Sequence, residues 1–249
     1  MDEAQLVKEV QDCTDAFIAT IECRTEDRLE VFKVLPVEHH KWASIFSREQ
    51  TNKLPSHCAY DHRIKLVEGA EAPWGPLYGM SEQELRVLRE WLDKKVAAGK
   101  ITKSNSSAVA PILLVKKHDI CVHLCMDYRA LNKVTVKNRY PLPLMTELRE
   151  RLNTAKVFTK LDNKNGYHLV RMAEEDEEKT AFRTRFGLYH WRVMLFGLCN
   201  SPATFQSMMD NIFHDLLYND VIVYLDDILI YTEKVDKHIR LEQEVLFRL

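Results

Sequence analysis

Two adjacent aspartates, Asp226 and Asp227, interrupt an otherwise apolar stretch: Val221-Ile222-Val223-Tyr224-Leu225 precedes them and Ile228-Leu229-Ile230-Tyr231 follows. β-Branched and aromatic residues on both sides predict a strand, a tight turn and a returning strand. Such a hairpin buries at least one face, and two negative charges at its tip cost free energy unless cations neutralise them. Mg²⁺ is suited to that task, because it takes one or two carboxylates and completes its shell with water and phosphate oxygens. The competing reading is a solvated turn, where aspartate is common. The rest of the chain decides between them.

A third carboxylate strengthens the metal reading. Val157-Phe158-Thr159-Lys160-Leu161 has the pattern of a strand and delivers Asp162 at its end. Alone, Asp162 would be a turn former or helix cap. With Asp226 and Asp227 it makes a three-carboxylate set from two strand ends. Such a set suits two metal ions ~3.5–4 Å apart that clamp the attacking and leaving oxygens of a displacement at phosphorus.

Around these strands the pattern is mixed. Ser81-Glu82-Gln83-Glu84 is a capping box, and Leu85, Leu88, Leu92 and Val96 follow at helical spacing up to Gly99. Ala108 to Val115 and Cys121 to Asp127 predict paired strands. A helix is expected over about Met145 to Leu152. A hairpin is expected around Phe186-Gly187-Leu188, with a helix after Asn200-Ser201-Pro202 and another from near Val235. Residues 54–76, rich in Pro and polar side chains, read as an extended surface connection. His39-His40 reads as surface. Glu174-Glu175-Asp176-Glu177-Glu178 reads as a solvated turn.

Charge and cysteine usage narrow the classes. The first 100 residues carry 14 Lys and Arg against 18 Asp and Glu; the remainder carries 21 against 19. Any phosphate-tracking groove therefore has to come from local clustering, not bulk charge. Six cysteines without paired spacing, and no signal peptide, point to a reduced intracellular setting. No apolar run is long enough to span a bilayer. His118, Cys121, His123 and Cys125 could suggest zinc, but one strand face is poor tetrahedral geometry.

Several segments resemble one family. Asp127-Tyr128-Arg129-Ala130-Leu131-Asn132-Lys133, Asn138-Arg139-Tyr140-Pro141-Leu142-Pro143, Asp162 through Met172 and Lys179 through Thr184 resemble the reverse transcriptase of Gypsy-type LTR retrotransposons. So do Phe196-Gly197-Leu198, Asn200-Ser201-Pro202-Ala203-Thr204-Phe205-Gln206 and Tyr224 through Ile230. Tyr60-Asp61-His62 and Trp74 through Tyr78 are similar to the segment joining protease to polymerase in those polyproteins.

The resemblance implies an α+β right-hand polymerase fold with fingers and palm subdomains, the palm being a small antiparallel sheet backed by helices. It implies an N-terminal segment and linker over residues 1–75 and a polymerase domain over 76–249. The expectation is that this domain stops at the start of the thumb, with connection and RNase H absent, as in a fragment or decayed copy of a polyprotein. Asp162, Asp226 and Asp227 match the catalytic, metal-binding carboxylates, Asp227 being the less direct ligand. Two Mg²⁺ ions, or Mn²⁺ in their place, are the implied cofactors.

Tyr167 matches the aromatic gate that excludes a 2′-hydroxyl, and Phe196 and Gly197 match the segment beside the incoming sugar and template base. Lys116, His123 and the backbone of Asn163 and Lys164 fall where the triphosphate is bound, and Arg129 where the template is touched. The implied partners are dNTPs and an RNA or DNA template with its primer, with a homodimer or other polyprotein segments as further candidates and no membrane. The implied setting is the cytoplasm, the nucleus or a virus-like particle.

The departures include Leu195 in place of the usual Pro, together with Arg192 and Lys164, but the most consequential fall in the fingers. The hairpin Lys117-His118-Asp119-Ile120-Cys121-Val122-His123 lacks the family's turn glycine, and His123 stands where an arginine is expected. Neutral imidazole cannot supply a charged bidentate clamp. The alternative to an enzyme is accordingly a catalytically silent nucleic-acid-binding relic of the same polymerase.

Overall fold

The computed structural model describes residues 17–20, 37–43, 45–46, 53–116, 122–163 and 166–249. The strands are β1 (Phe17–Thr20), β2 (Ile101–Lys103), β3 (Ala110–Lys116), β4 (Val122–Met126), β5 (Val157–Asp162), β6 (Phe182–Thr184), β7 (Gly187–Trp191), β8 (Val221–Tyr224) and β9 (Asp227–Thr232). The α-helices are α1 (Glu82–Ala97), α2 (Arg129–Val134), α3 (Met145–Leu152), α4 (Glu174–Glu177), α5 (Ser201–Ile212) and α6 (Val235–Arg248). The chain forms two compact units, one of residues 1–51, 140–164 and 205–249, the other of 52–139 and 165–204.

The first unit is built on a sheet of order β1-β5-β9-β8. β5, β9 and β8 run antiparallel, as expected, but β1 lies parallel to β5, so the sheet is mixed. Connectivity explains the difference. β8 and β9 are joined by two residues and have to run antiparallel, whereas a parallel neighbour needs a long crossover, which residues 21–156 provide.

Alternation along β5 puts Phe158, Lys160 and Asp162 on one face. The register sets them opposite Tyr231, Leu229 and Asp227 respectively. This row grades from apolar to charged. At the apolar end α3 packs Leu148 and Leu152 against Phe158, Ile222 and Tyr231. Each such fully buried side chain contributes about 1.5–3 kcal/mol. The charged end is left for chemistry.

α6 packs against β5 and β9. Here a polar cluster replaces apolar packing: Glu242 accepts from Thr159, while His238 lies 2.9 Å from Thr159 Oγ1 and 3.0 Å from Thr232 Oγ1. His39, expected at the surface, is buried, with Nε2 3.3 Å from Glu242. A buried carboxylate needs such company. Burial pushes the Glu242 carboxyl up, but hydrogen bonds from His238 and Thr159 and the nearby imidazoles outweigh it and leave it below the ordinary carboxylate range.

In the second unit the expected capping box forms: Ser81 Oγ accepts from the Glu84 N–H, and Glu84 accepts from the Ser81 N–H at 2.7 Å. Gly99, at φ +67°, ends the helical path. α1 buries Leu88 and Leu92 and sets Trp91 edge-on to Trp191 and Phe182. The sheet order is β2-β7-β6-β3-β4.

Two expectations fail here for one reason. His62 and Ile64 in the supposed surface connection are buried. Asp176, in the supposed solvated turn, is buried too, accepting from the Ile64 N–H at 2.8 Å and from Lys179. Glu177 is held by Arg171 at 3.1 Å. Interior backbone donors and a buried arginine need acceptors, and the acidic run supplies them; Glu174, Glu175 and Glu178 stay exposed. Among the described residues no helix is long and apolar enough to cross a membrane.

Candidate active site

β8 and β9 are joined through Leu225 and Asp226, with Tyr224 paired to Asp227. Leu225 takes φ +55°. A positive φ at the first central residue alone is the pattern of a II′ hairpin turn, a position that favours glycine. A leucine there stores about 1–2 kcal/mol of strain. Asp226 lies at the apex, Asp227 opens β9 and Asp162 closes β5. Asp162 and Asp227 are register partners, and like charges directly opposed on neighbouring strands destabilise a sheet. Lys160 Nζ, 3.2 Å from Asp227 Oδ1, offsets part of that repulsion.

The Asn163 N–H donates to the Asp226 carbonyl at 2.9 Å. The ladder thus runs one residue past β5 and ties the two carboxylate-bearing ends together. It also corrects the expectation for Asn163: its N–H serves the sheet and does not point to a phosphate. Lys164 lies outside the described residues.

Gln206, on α5 and fully buried, holds the strained turn. Its Oε1 accepts from the Leu225 N–H at 2.8 Å, and its Nε2 donates to the Val223 carbonyl at 3.0 Å and to Asp210 Oδ1 at 2.8 Å. Asp210 Oδ2 accepts from the Tyr140 hydroxyl at 2.7 Å. Burial and the Asp210 carboxylate push the Tyr140 hydroxyl up to about 12, so it stays a donor. Sequence reasoning missed this support. The available signal was an amide and a carboxylate four residues apart among the apolar positions Phe205, Met209 and Phe213.

Among the described residues no group of three or more His, Cys, Asp or Glu side chains could cage a metal ion. Mg²⁺ does not need a cage, since water and substrate phosphates complete its shell. Hard oxygen donors on Asp162, Asp226 and Asp227, two of them opposed as like charges, fit that cation.

The remaining expected residues lie in the second unit. Tyr167 is 4% exposed, its ring 4.2 Å from that of Phe196, which is 57% exposed. Gly197 takes φ +95°. Lys116 closes β3 and His123 lies on β4, paired with Val122 and Val115 respectively; the connecting residues 117–121, including His118 and Cys121, lie outside the described ones. Arg129 does not reach out freely: its guanidinium forks onto Asp127 at 2.9 and 2.7 Å, and this holds the Asp127 carboxyl low.

A strand pair closed by a carboxylate-bearing turn, with a third carboxylate in register, is the arrangement the sequence resemblance implies. Sequence comparison agrees. The family described as reverse transcriptase (RNA-dependent DNA polymerase) matches residues 115–249. An RNA-directed DNA polymerase homolog of Oenothera berteroana is 46% identical over 132 residues, covering 51% of this chain and 93% of that protein. The Transposon Tf2-3 polyprotein of Schizosaccharomyces pombe is 29% identical over 216 residues, 86% of this chain but 16% of the polyprotein. The chain belongs to the reverse transcriptase family.

The fold agrees as well. The foamy viral protease-reverse transcriptase in complex with double-stranded DNA superposes with a TM-score of 0.70 at 20% identity, over 100% of this chain and 41% of that one. The same enzyme in complex with an RNA/DNA hybrid gives 0.68, over 32% of its chain. The architecture is that of the fingers and palm of a right-hand polymerase, and the family generally uses divalent metal ions.

Proposed function

We propose that this chain performs RNA-directed DNA synthesis, adding dNTPs to a primer 3′-end on an RNA or DNA template, as part of a Gypsy-type retrotransposon polyprotein. The observation that carries the reading is the register of Asp162 with Asp227 beside the strained turn bearing Asp226. Asp162 and Asp226 would hold two Mg²⁺ ions, and Asp227, paired with Lys160, would contribute less directly. Bound there, the ions acidify the 3′-hydroxyl and steady the pyrophosphate leaving group. The chain supplies placement and charge, which carry most of the catalysis in phosphoryl transfer.

Tyr167, buried beneath the exposed Phe196, acts as the aromatic gate that leaves no room for a 2′-hydroxyl, backing the ring that borders the sugar. Phe196 and Gly197 border the incoming sugar and template base. Lys116, His123 and Lys164 meet the triphosphate, and Arg129, braced by Asp127, contacts the template. Residues 1–75 correspond to the segment and linker preceding the polymerase; that division reflects polyprotein ancestry and falls inside the second compact unit.

The test is extension of a DNA primer on an RNA template in Mg²⁺ and in Mn²⁺, with Asp226→Asn beside the natural chain. The expected result is extension that falls by about 10³-fold or more in the variant, the scale of lost electrostatic stabilisation in such sites. A folded natural chain that binds duplex but never extends it would favour the silent relic.

A further inference from the structure

Phe196 and Gly197 lie on the loop that leads into α5, and two asparagines fasten that loop to the segment around α2. Asn132 Nδ2 donates to the Gly197 carbonyl at 2.7 Å, and its Oδ1 accepts from the Cys199 N–H at 2.9 Å. Asn200 answers from the other side. Its Nδ2 donates to the Val136 carbonyl at 2.8 Å, and its Oδ1 accepts from the Asn138 N–H at 3.0 Å. Each primary amide satisfies one donor and one acceptor of the opposite backbone, as a paired strand would.

Asn200 is buried, and its side chain bridges to the backbone of Val136 and Asn138 from the residue just before α5. A Cβ on Gly197 would meet nothing closer than 3.9 Å. The glycine is therefore demanded by its φ of +95°, not by crowding, and its carbonyl is the one Asn132 holds.

We propose that Asn132 and Asn200 are positioning residues for nucleotide selection: together they fix the Phe196–Gly197 loop against Tyr167 and so set the shape of the surface that receives the incoming deoxynucleotide and its templating base. This rests on the polymerase reading above. Without the clamp the loop has to be ordered by the nucleotide itself, which weakens nucleotide binding. A mobile Phe196 also yields to mismatched geometry. The carboxylates that promote the chemical step sit on β5, β9 and the β8–β9 turn and are not held by these bonds, so turnover at saturation is preserved.

Single-nucleotide incorporation by the full chain decides the matter. The variants are Asn132→Ala, Asn132→Asp and Asn200→Ala, with hydrogen exchange at the Cys199 amide as a readout independent of activity. Asn132→Ala is expected to raise KM for the correct dNTP about tenfold, the scale of two neutral hydrogen bonds, with kcat within about threefold. It should also lower discrimination against mismatched dNTP and speed exchange at Cys199. Asn132→Asp keeps the acceptor for the Cys199 N–H and loses the donor to Gly197, so Cys199 should stay protected while KM rises by less.

Faster exchange with unchanged KM and discrimination overturns the proposal, as does a fall in kcat alone. A natural chain that fails to extend primers sinks the polymerase reading instead. In that case unchanged Cys199 protection in Asn132→Ala overturns the clamp itself, and accelerated exchange upholds it.

Discussion

Replacing Gln206 with leucine removes an acceptor for the Leu225 N–H and a donor for the Val223 carbonyl and Asp210, at nearly constant volume. Each buried group left unpaired costs about 1–3 kcal/mol. Gln206→Leu should therefore lower the melting temperature, and it should depress primer extension more than KM for dNTP, because the turn that aims Asp226 loses its brace. Equal extension at a lowered melting temperature would show that the turn keeps its strained form unaided. Tyr140, the outer member of the network, has its pKa raised to about 12 against an ordinary 10.0 by burial and by Asp210. A raised folded pKa means the stabilisation is complete below pH 10 and is lost as pH climbs through about 12. Alkaline melting curves of Tyr140→Phe should lack that loss.

At the scale of elements, the segment bearing His62 carries a pH liability. Burial, opposed by the Asp176 charge, lowers the His62 imidazole to about 4 from 6.5. The unfolded chain gains a proton that the folded chain refuses, so stability is complete above pH 6.5 and falls as pH drops toward 4, by about 3 kcal/mol. Melting between those pH values should show the loss, and His62→Gln, which has nothing to titrate there, should show less of it. α6 is pinned at its far end by Arg248, which forks onto Asp215, pairs with Glu244 at 2.8 Å and donates to the Ile212 carbonyl at 3.1 Å. Arg248→Met should speed amide exchange in the last turn of α6 and leave β5 and β9 protected.

Part of the element map was legible in the sequence: α3 and the start of α6 fall where periodicity placed them, as does the β8–β9 hairpin, whereas periodicity does not mark α2 and the acidic run of α4 reads as a turn. Burial of polar residues was not legible. His39, Asp176, Asn132, Gln206 and Asn200 acquire their partners from segments remote in sequence, and no local pattern records such pairing. The candidate carboxylates were conspicuous because they interrupt apolar strands; the supports around them were hidden because an amide on a helix looks the same whether it meets water or a turn.

At the scale of the whole chain, a net charge of -2 leaves no bulk attraction to nucleic acid. Duplex binding therefore has to come from local cationic clusters and should still weaken steeply between about 50 and 200 mM salt, as counterion release requires. Fluorescence anisotropy of a labelled RNA/DNA hybrid across that range checks this, and a flat response would exclude phosphate tracking. One feature of the palm sheet bears on how such a chain tolerates change. The register of Asp162 with Asp227, sealed by the bond from Asn163 to Asp226, makes the gap between the carboxylates a dimension of paired strands. The residues from 166 to 204 belong to the other compact unit and contribute no strand to that sheet. Insertions and deletions there can remodel that unit's surface while the spacing of the carboxylates on the paired strands keeps its width, so under the proposed reading substrate preference and chemistry are free to diverge at different speeds.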